Sequence, residues 1–172
     1  MKPLDSGSAP RARARSVLAG LGFAALTYGV SALGVLAMRG KGSANSAWFR
    51  SRRKPAFQPP NWLFAPVWTA LYGAIAYSGW RVWRSPRSPD RTKALGLWAA
   101  QLALNGAWTP LFFRAHAPGA ALVDLVALDV AATAYTATAA KVDRQAALIV
   151  TPYLGWLGFA TALNGSIFAK NR

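Results

Sequence analysis

Gln101, Asn105 and Trp108 fall at i, i+4 and i+7 of one apolar run, a spacing that puts two amides and an indole on a single helical face. Unpaired amides are costly in an apolar medium, so that face either points into a cavity or hydrogen-bonds a neighbouring helix. Spacing alone leaves both open. Pro152, Trp156, Ala160 and Leu163 share a face in the last apolar run, with Tyr153 and Asn164 forming a stripe beside them. A tryptophan opposite a small alanine leaves room for a flat guest, although the same residues also build an ordinary core. Groups of this kind either hold a ligand or pack helices together. None is a nucleophile set beside a base.

Bond-making candidates are few. The chain has one histidine, five aspartates, no glutamate and no cysteine, too few ligands for a protein-held transition-metal site. Asp124 and Asp129 lie in one run, but their separation turns them about 140° apart on a helix, so they do not form a carboxylate dyad. Asp129 is nearer the middle of the run, where an acid is either functional or held neutral by hydrogen bonds. His116 stands in a short connector with no evident partner and reads as solvated. Nucleophile triads and phosphate-cradling glycine loops are both missing.

These faces need helices to carry them. Five apolar runs supply them: Val17 to Met38, Trp62 to Trp80, Ala94 to Phe113, Ala117 to Ala140 and Ala146 to Ala169, each 19 to 24 residues long. A helix crosses a bilayer core in about 20 apolar residues. The expected fold is therefore an all-α membrane protein, a bundle of five transmembrane helices at about residues 17–38, 61–83, 94–113, 117–140 and 146–169. They make one domain, 17–170, behind a basic and disordered tail, 1–16. The chain is 53% hydrophobic yet carries a net charge of +15, which fits charge confined to connectors.

Counting Lys and Arg on the two sides of such a bundle gives eleven against nine, a margin too small to orient it. The basic excess suits anionic lipid headgroups on both faces. It does not suit nucleic acid, because the arginines flank the spans instead of lining one face. Along the third run Ala99, Ala103 and Ala107 repeat every fourth residue, a small-residue strip that permits close approach of a second copy.

Four segments occur in order across these runs: "WFRSRRKPAFQPPNWLFAPVWTALY", "QLALNGAWTPLFF", "ALVDL" and "PYLGWLGFATALN". Together they resemble the TspO/MBR family of tryptophan-rich sensory proteins and translocator proteins, over roughly residues 20–170. The resemblance implies a five-helix membrane bundle, commonly a homodimer, with a pocket toward the long first connector. It implies binding of porphyrins or haem-pathway tetrapyrroles, in transport, sensing or stress-linked regulation, with no obligatory cofactor.

By motif, Trp48, Pro59 and Pro60 are expected to line or lid the pocket, and Trp68, Asn105, Trp108, Trp156 and Ala160 to wall it. Trp68 and Trp156 are the expected platform for a macrocycle, with Arg50, Arg52, Arg53 and Lys54 attracting its propionates. Asp124 fits the family pattern, whereas Asp129 is an addition to it. The terminal helix lacks a Lys or Arg within five residues after Tyr153, so the sterol-recognition pattern of animal members is missing and a bacterial-type role in the cell envelope is expected.

Two alternatives stand beside a binding or transport role. One is a light- and oxygen-dependent porphyrin-degrading enzyme, which no acid–base or metal constellation supports. The other is a sterol- or lipid-binding membrane scaffold.

Overall fold

A computed structural model describes residues 8–38 and 46–172. Among the described residues six α-helices follow one another: α1 Ser8–Ala37, α2 Ala47–Ser51, α3 Asn61–Arg84, α4 Pro89–Thr109, α5 Pro118–Val142 and α6 Arg144–Lys170. A π-helical turn, Pro110–Arg114, joins α4 to the connector before α5. The described residues contain no strand, so the fold is all-α as expected. The helix count differs. Five are expected and six are found, because the first connector folds a short helix of its own. Ser46 caps α2 by accepting from the Phe49 N–H at 3.3 Å, and Phe49 is buried beneath it.

The start of α1 also differs from expectation. Residues 8–16, expected within a disordered tail, are helical. Arg and Ala are strong helix formers, and Pro10 sits in the first turn, where a missing N–H costs little. The remainder of that tail, 1–7, and the connector segment 39–45 lie outside the described residues.

By length and composition, three helical segments are apolar enough to cross a membrane: Arg11–Leu36, Pro118–Val142 and Arg144–Lys170. The other two long helices are more polar. α3 carries Asn61, Ser78, Arg81 and Arg84, and α4 opens on Pro89-Asp90-Arg91-Thr92-Lys93 and contains Gln101 and Asn105.

Start and stop chemistry is explicit where helices meet. Ser88 caps α4 by accepting from the Arg91 N–H at 3.1 Å, followed by Pro89 and by Asp90 in the first turn. A single residue, Asp143, separates α5 from α6. Its carboxylate accepts from the Gln145 and Ala146 N–H groups at 2.9 and 3.2 Å. The same carboxylate takes a two-pronged contact from the Arg81 guanidinium at 2.8 and 3.3 Å, tying the end of α3 to the α5–α6 turn.

α4, α5 and α6 form an antiparallel layer, while α3 packs against α6 and α1 lies over α3 and α4. The core between them holds Ile75, Leu128, Tyr135, Tyr153 and Leu157. Gly79 permits the closest crossing, since a Cβ there would fall 2.9 Å from Phe23 and closer still to Trp98. The bundle thus has two ends. The turn end carries the α3–α4 and α5–α6 turns; the lid end carries α2, the α4–α5 connector and the C-terminus.

Burial alone would raise the Asp143 carboxyl, but the Arg81 guanidinium and the two backbone N–H groups outweigh it and hold it below its ordinary value. Its contribution is therefore present above the unfolded carboxylate pKa of about 4 and is lost as pH falls through the lower folded value. Thermal unfolding in detergent should show the wild type losing stability below about pH 4, with Asp143→Ala lower by roughly 1–2 kcal/mol at neutral pH and flatter in acid. Equal melting temperatures at neutral pH would remove Asp143 from the account.

Candidate ligand-binding cavity

Trp68 and Tyr72 are one helical turn apart on α3, and Tyr153 and Trp156 one turn apart on α6. α4 brings Asn105 and Trp108 between them. Asn105 is buried with both side-chain polar atoms bonded: its Oδ1 accepts from the Tyr72 hydroxyl at 2.7 Å, and its Nδ2 donates to the Tyr153 hydroxyl oxygen at 3.0 Å. Tyr153 in turn donates to Gln101 Oε1 at 3.0 Å, and Gln101 Nε2 donates to the Trp98 carbonyl at 3.0 Å. This chain crosses α3, α4 and α6 with no water-facing member.

Cavity wall and interhelical glue, left open by spacing, are both realised on the α4 face. Gln101 sits deep in the chain and is glue, while Asn105 serves both.

Above the chain lies a cavity of about 410 Å³ lined from α1, α3, α4, α5 and α6, with Phe49 of α2 over it. Of the expected wall residues, Trp68, Asn105, Trp108, Trp156 and Ala160 all line it. Trp68 and Trp156 do not stack. Their ring centroids are 6.4 Å apart with planes at 88°, so they form a corner that offers a planar guest one face and one edge. Phe64 and Tyr72 extend the corner, at 5.7 Å from Trp156 and 5.3 Å from Trp68.

Trp48, Pro59 and Pro60 do not line this space, although their neighbours Phe49, Gln58 and Asn61 do. Trp48 instead stacks on His116, with centroids 4.3 Å apart and planes at 19°, and meets the edge of Phe112. His116 is exposed, as a solvated residue would be, but it is partnered by the Trp48 ring, and it sits at φ 53° in the turn before α5. The prolines hold the chain extended into α3; Pro60, just before its first turn, has φ −57° and ψ 141°.

The π-helical turn contributes the rest of this wall. Pro110 cannot continue the α-helical ladder, and the wider turn closes from the Ala115 N–H to the Pro110 carbonyl at 2.9 Å. Phe112 and Phe113 are thereby both buried, with Phe112 stacked on Trp108 at 5.2 Å.

Polar atoms in the wall are unevenly satisfied. Outside the lining, the Trp98 indole donates to the Ile75 carbonyl at 2.9 Å and Trp80 to that of Ser16 at 2.7 Å. The indole N–H groups of Trp108 and Trp156 are buried and meet no acceptor among the described residues. Gln58 Oε1 and Asn164 Oδ1 are likewise unmatched. Buried polar atoms are normally paired, so these are the positions where a guest's own acceptors and donors gain most.

Two expected candidates fall elsewhere. Asp129 accepts from the Thr161 hydroxyl at 2.7 Å and ties α5 to α6 outside the cavity lining. Asp124 is buried on the inner face of α5 but is not in the wall either. Of the basic connector residues, Arg52 lies over the Trp48 ring and Lys54 over the Phe49 ring, so both help seat α2.

Comparison with known proteins decides the relationship. The family model described as the TspO/MBR family matches residues 23–169. The chain belongs to that family. It is 42% identical over 127 residues to the translocator protein of Sus scrofa, covering 73% of this chain and 75% of that one. It is 41% identical over 126 residues to the translocator protein of Homo sapiens, 72% and 75% respectively. The tryptophan-rich protein TspO of Archaeoglobus fulgidus is 41% identical over 151 residues, 82% of this chain and 94% of that one.

Within this TspO/MBR chain, Phe64, Tyr72 and Gln58 line the cavity beyond the residues expected from sequence. The signal for Tyr72 was present, four residues after Trp68. Replacing Tyr153 with Phe deprives both Asn105 Nδ2 and Gln101 Oε1 of their partner. The variant should lose about 1–3 kcal/mol of stability for each buried group left unpaired, read as a lower melting temperature in detergent. An unchanged melting temperature would mean the chain does not hold the helices.

Proposed function

We propose that this chain is a multi-pass membrane protein of five spans, α1, α3, α4, α5 and α6, whose cavity binds a porphyrin-type tetrapyrrole. Its role is in transport, sensing or stress-linked regulation. One observation carries the reading: the perpendicular Trp68–Trp156 corner, anchored from below by Tyr72 and Tyr153 and flanked by unmatched indole donors. A planar macrocycle lays one face on a tryptophan and brings carbonyl or carboxylate acceptors to the Trp108 and Trp156 N–H groups. The basic connector adds charge attraction for acidic side arms at the lid end.

Membrane spanning is supported by the outer surface. Leu18 and Leu33 of α1 and Val130 of α5 are about two-thirds exposed at 67%, 66% and 66%, an apolar coat that lipid covers and water does not favour. Polar residues in α3 and α4 are mostly turned inward or placed at helix ends, so those two helices span as part of the bundle. Ala99 and Ala103 lie exposed on α4, the face on which a second copy would pack to form a homodimer. We place the protein in a bacterial cell envelope, in contact with membrane lipid and not with nucleic acid. Tetrapyrrole is preferred over sterol because the sterol pattern after Tyr153 is lacking.

The test is porphyrin binding, followed by absorbance and porphyrin fluorescence, in the wild type and in Trp68→Ala with Trp156→Ala. Losing both rings should weaken binding by about tenfold or more, given the contribution of each aromatic contact beyond its buried area. Equal affinity in the double variant would remove the cavity as the site.

A further inference from the structure

We infer that ligands reach the cavity sideways from the bilayer, through a gap between α1 and α3, while the lid end is strapped shut by Asn171. This rests on the cavity being a ligand site.

α1 and α3 meet along only part of their length. Toward the turn end, Gly20 lies against Trp80, Gly79 admits Phe23, and the Tyr28 hydroxyl donates to the Thr69 carbonyl at 3.1 Å. Beyond Tyr28, α1 leans onto α4 instead. A Cβ at Gly106 would fall 2.9 Å from Val30, and one at Gly34 would fall 3.3 Å from Thr109.

Where the helices part, Ser31 and Val35 of α1 face Asn61, Ala65 and Thr69 of α3 across the cavity. Val35 is 53% exposed, and Asn61, Ala65 and Thr69 are exposed as well. Residues that line a cavity and also lie on the outer surface mark its opening. Here the opening faces sideways, flanked by the exposed apolar side chains of Leu33, Leu36 and Trp62.

The axial route is fastened at both edges. The Arg53 N–H donates to Asn171 Oδ1 at 2.9 Å, and Asn171 Nδ2 donates back to the Arg53 carbonyl at 2.9 Å, as two paired strands would. Nδ2 also donates to the Ile167 carbonyl at 2.8 Å, fixing the side chain to α6. At the other edge Trp48 is stacked on His116. Lifting the strap breaks a pair of hydrogen bonds and a ring stack, whereas the α1–α3 gap requires neither. The apolar ring of a porphyrin also partitions into lipid, with its acidic arms at the headgroups, before it meets the protein.

The chain contains no cysteine, so introduced pairs react alone. Val35→Cys with Ala65→Cys, bridged by a short bis-maleimide, closes the gap. Arg53→Cys with Asn171→Cys, bridged by the same reagent, locks the strap. In phospholipid vesicles, release of protoporphyrin should slow by at least about tenfold on the first bridge and stay unchanged on the second. Slowing only on the second bridge overturns the inference. If unbridged protein binds no protoporphyrin, the proposed function fails, and a ligand-free arm still decides the route. A nitroxide on Ala160→Cys should collide more often with lipid-borne oxygen than with a water-borne nickel chelate. The reverse order contradicts a lateral gap.

Discussion

The hydrogen-bonded chain from Tyr72 through Asn105 and Tyr153 to Gln101 is the interaction on which the rest depends. Each member is buried, so each bond that fails leaves a polar group in an apolar interior. Because the chain spans three helices, its satisfaction fixes the relative rotation of α3, α4 and α6. Trp68 and Trp156 are each within a turn of one of its tyrosines. The polar chain beneath them thus sets where the two indoles meet, and their edge-to-face contact completes the perpendicular corner.

The cavity above this chain exists because the helices are held apart at one end and pinned at the other. At the turn end, the Asp143 carboxylate joins α3 to α6 while its backbone N–H closes α5 on the Ala139 carbonyl, and glycine lets α1 approach α3. At the lid end, the π-helical turn swings Phe112 and Phe113 inward and gives α2 an aromatic surface to sit on through Trp48 and Phe49. Pinning of this kind preorganises the space, so a ligand need not order the walls as it binds.

Much of this was legible in the sequence, and the failures have physical causes. Long apolar runs and helical spacing pick out the faces carrying Asn105, Trp108, Trp156 and Ala160, which do line one cavity. The α2 helix was not legible, since five residues are too few to be helical by propensity and it forms only by burying Phe49. The helical stretch 8–16 is hidden by its charge, which suggests a disordered tail, although Arg and Ala both favour a helix. Trp48 and the Pro59–Pro60 pair are expected by motif to line or lid the pocket; they are not in the lining, and Trp48 seats α2 at the lid end, a distinction that turns on side-chain direction, which a motif does not carry. The roles of Asn171 and His116 arise from contacts across 118 and 68 residues, which no local pattern encodes.

One measurement tests the central claim most directly: an experimental structure of the protein with protoporphyrin bound in a lipid environment. The account predicts the ring seated in the corner of Trp68 and Trp156, above an intact Tyr72–Asn105–Tyr153 chain, with acceptors of the ligand at the Trp108 or Trp156 indole N–H. A porphyrin bound on the outer surface, with the cavity and its hydrogen-bonded floor untouched, would contradict it.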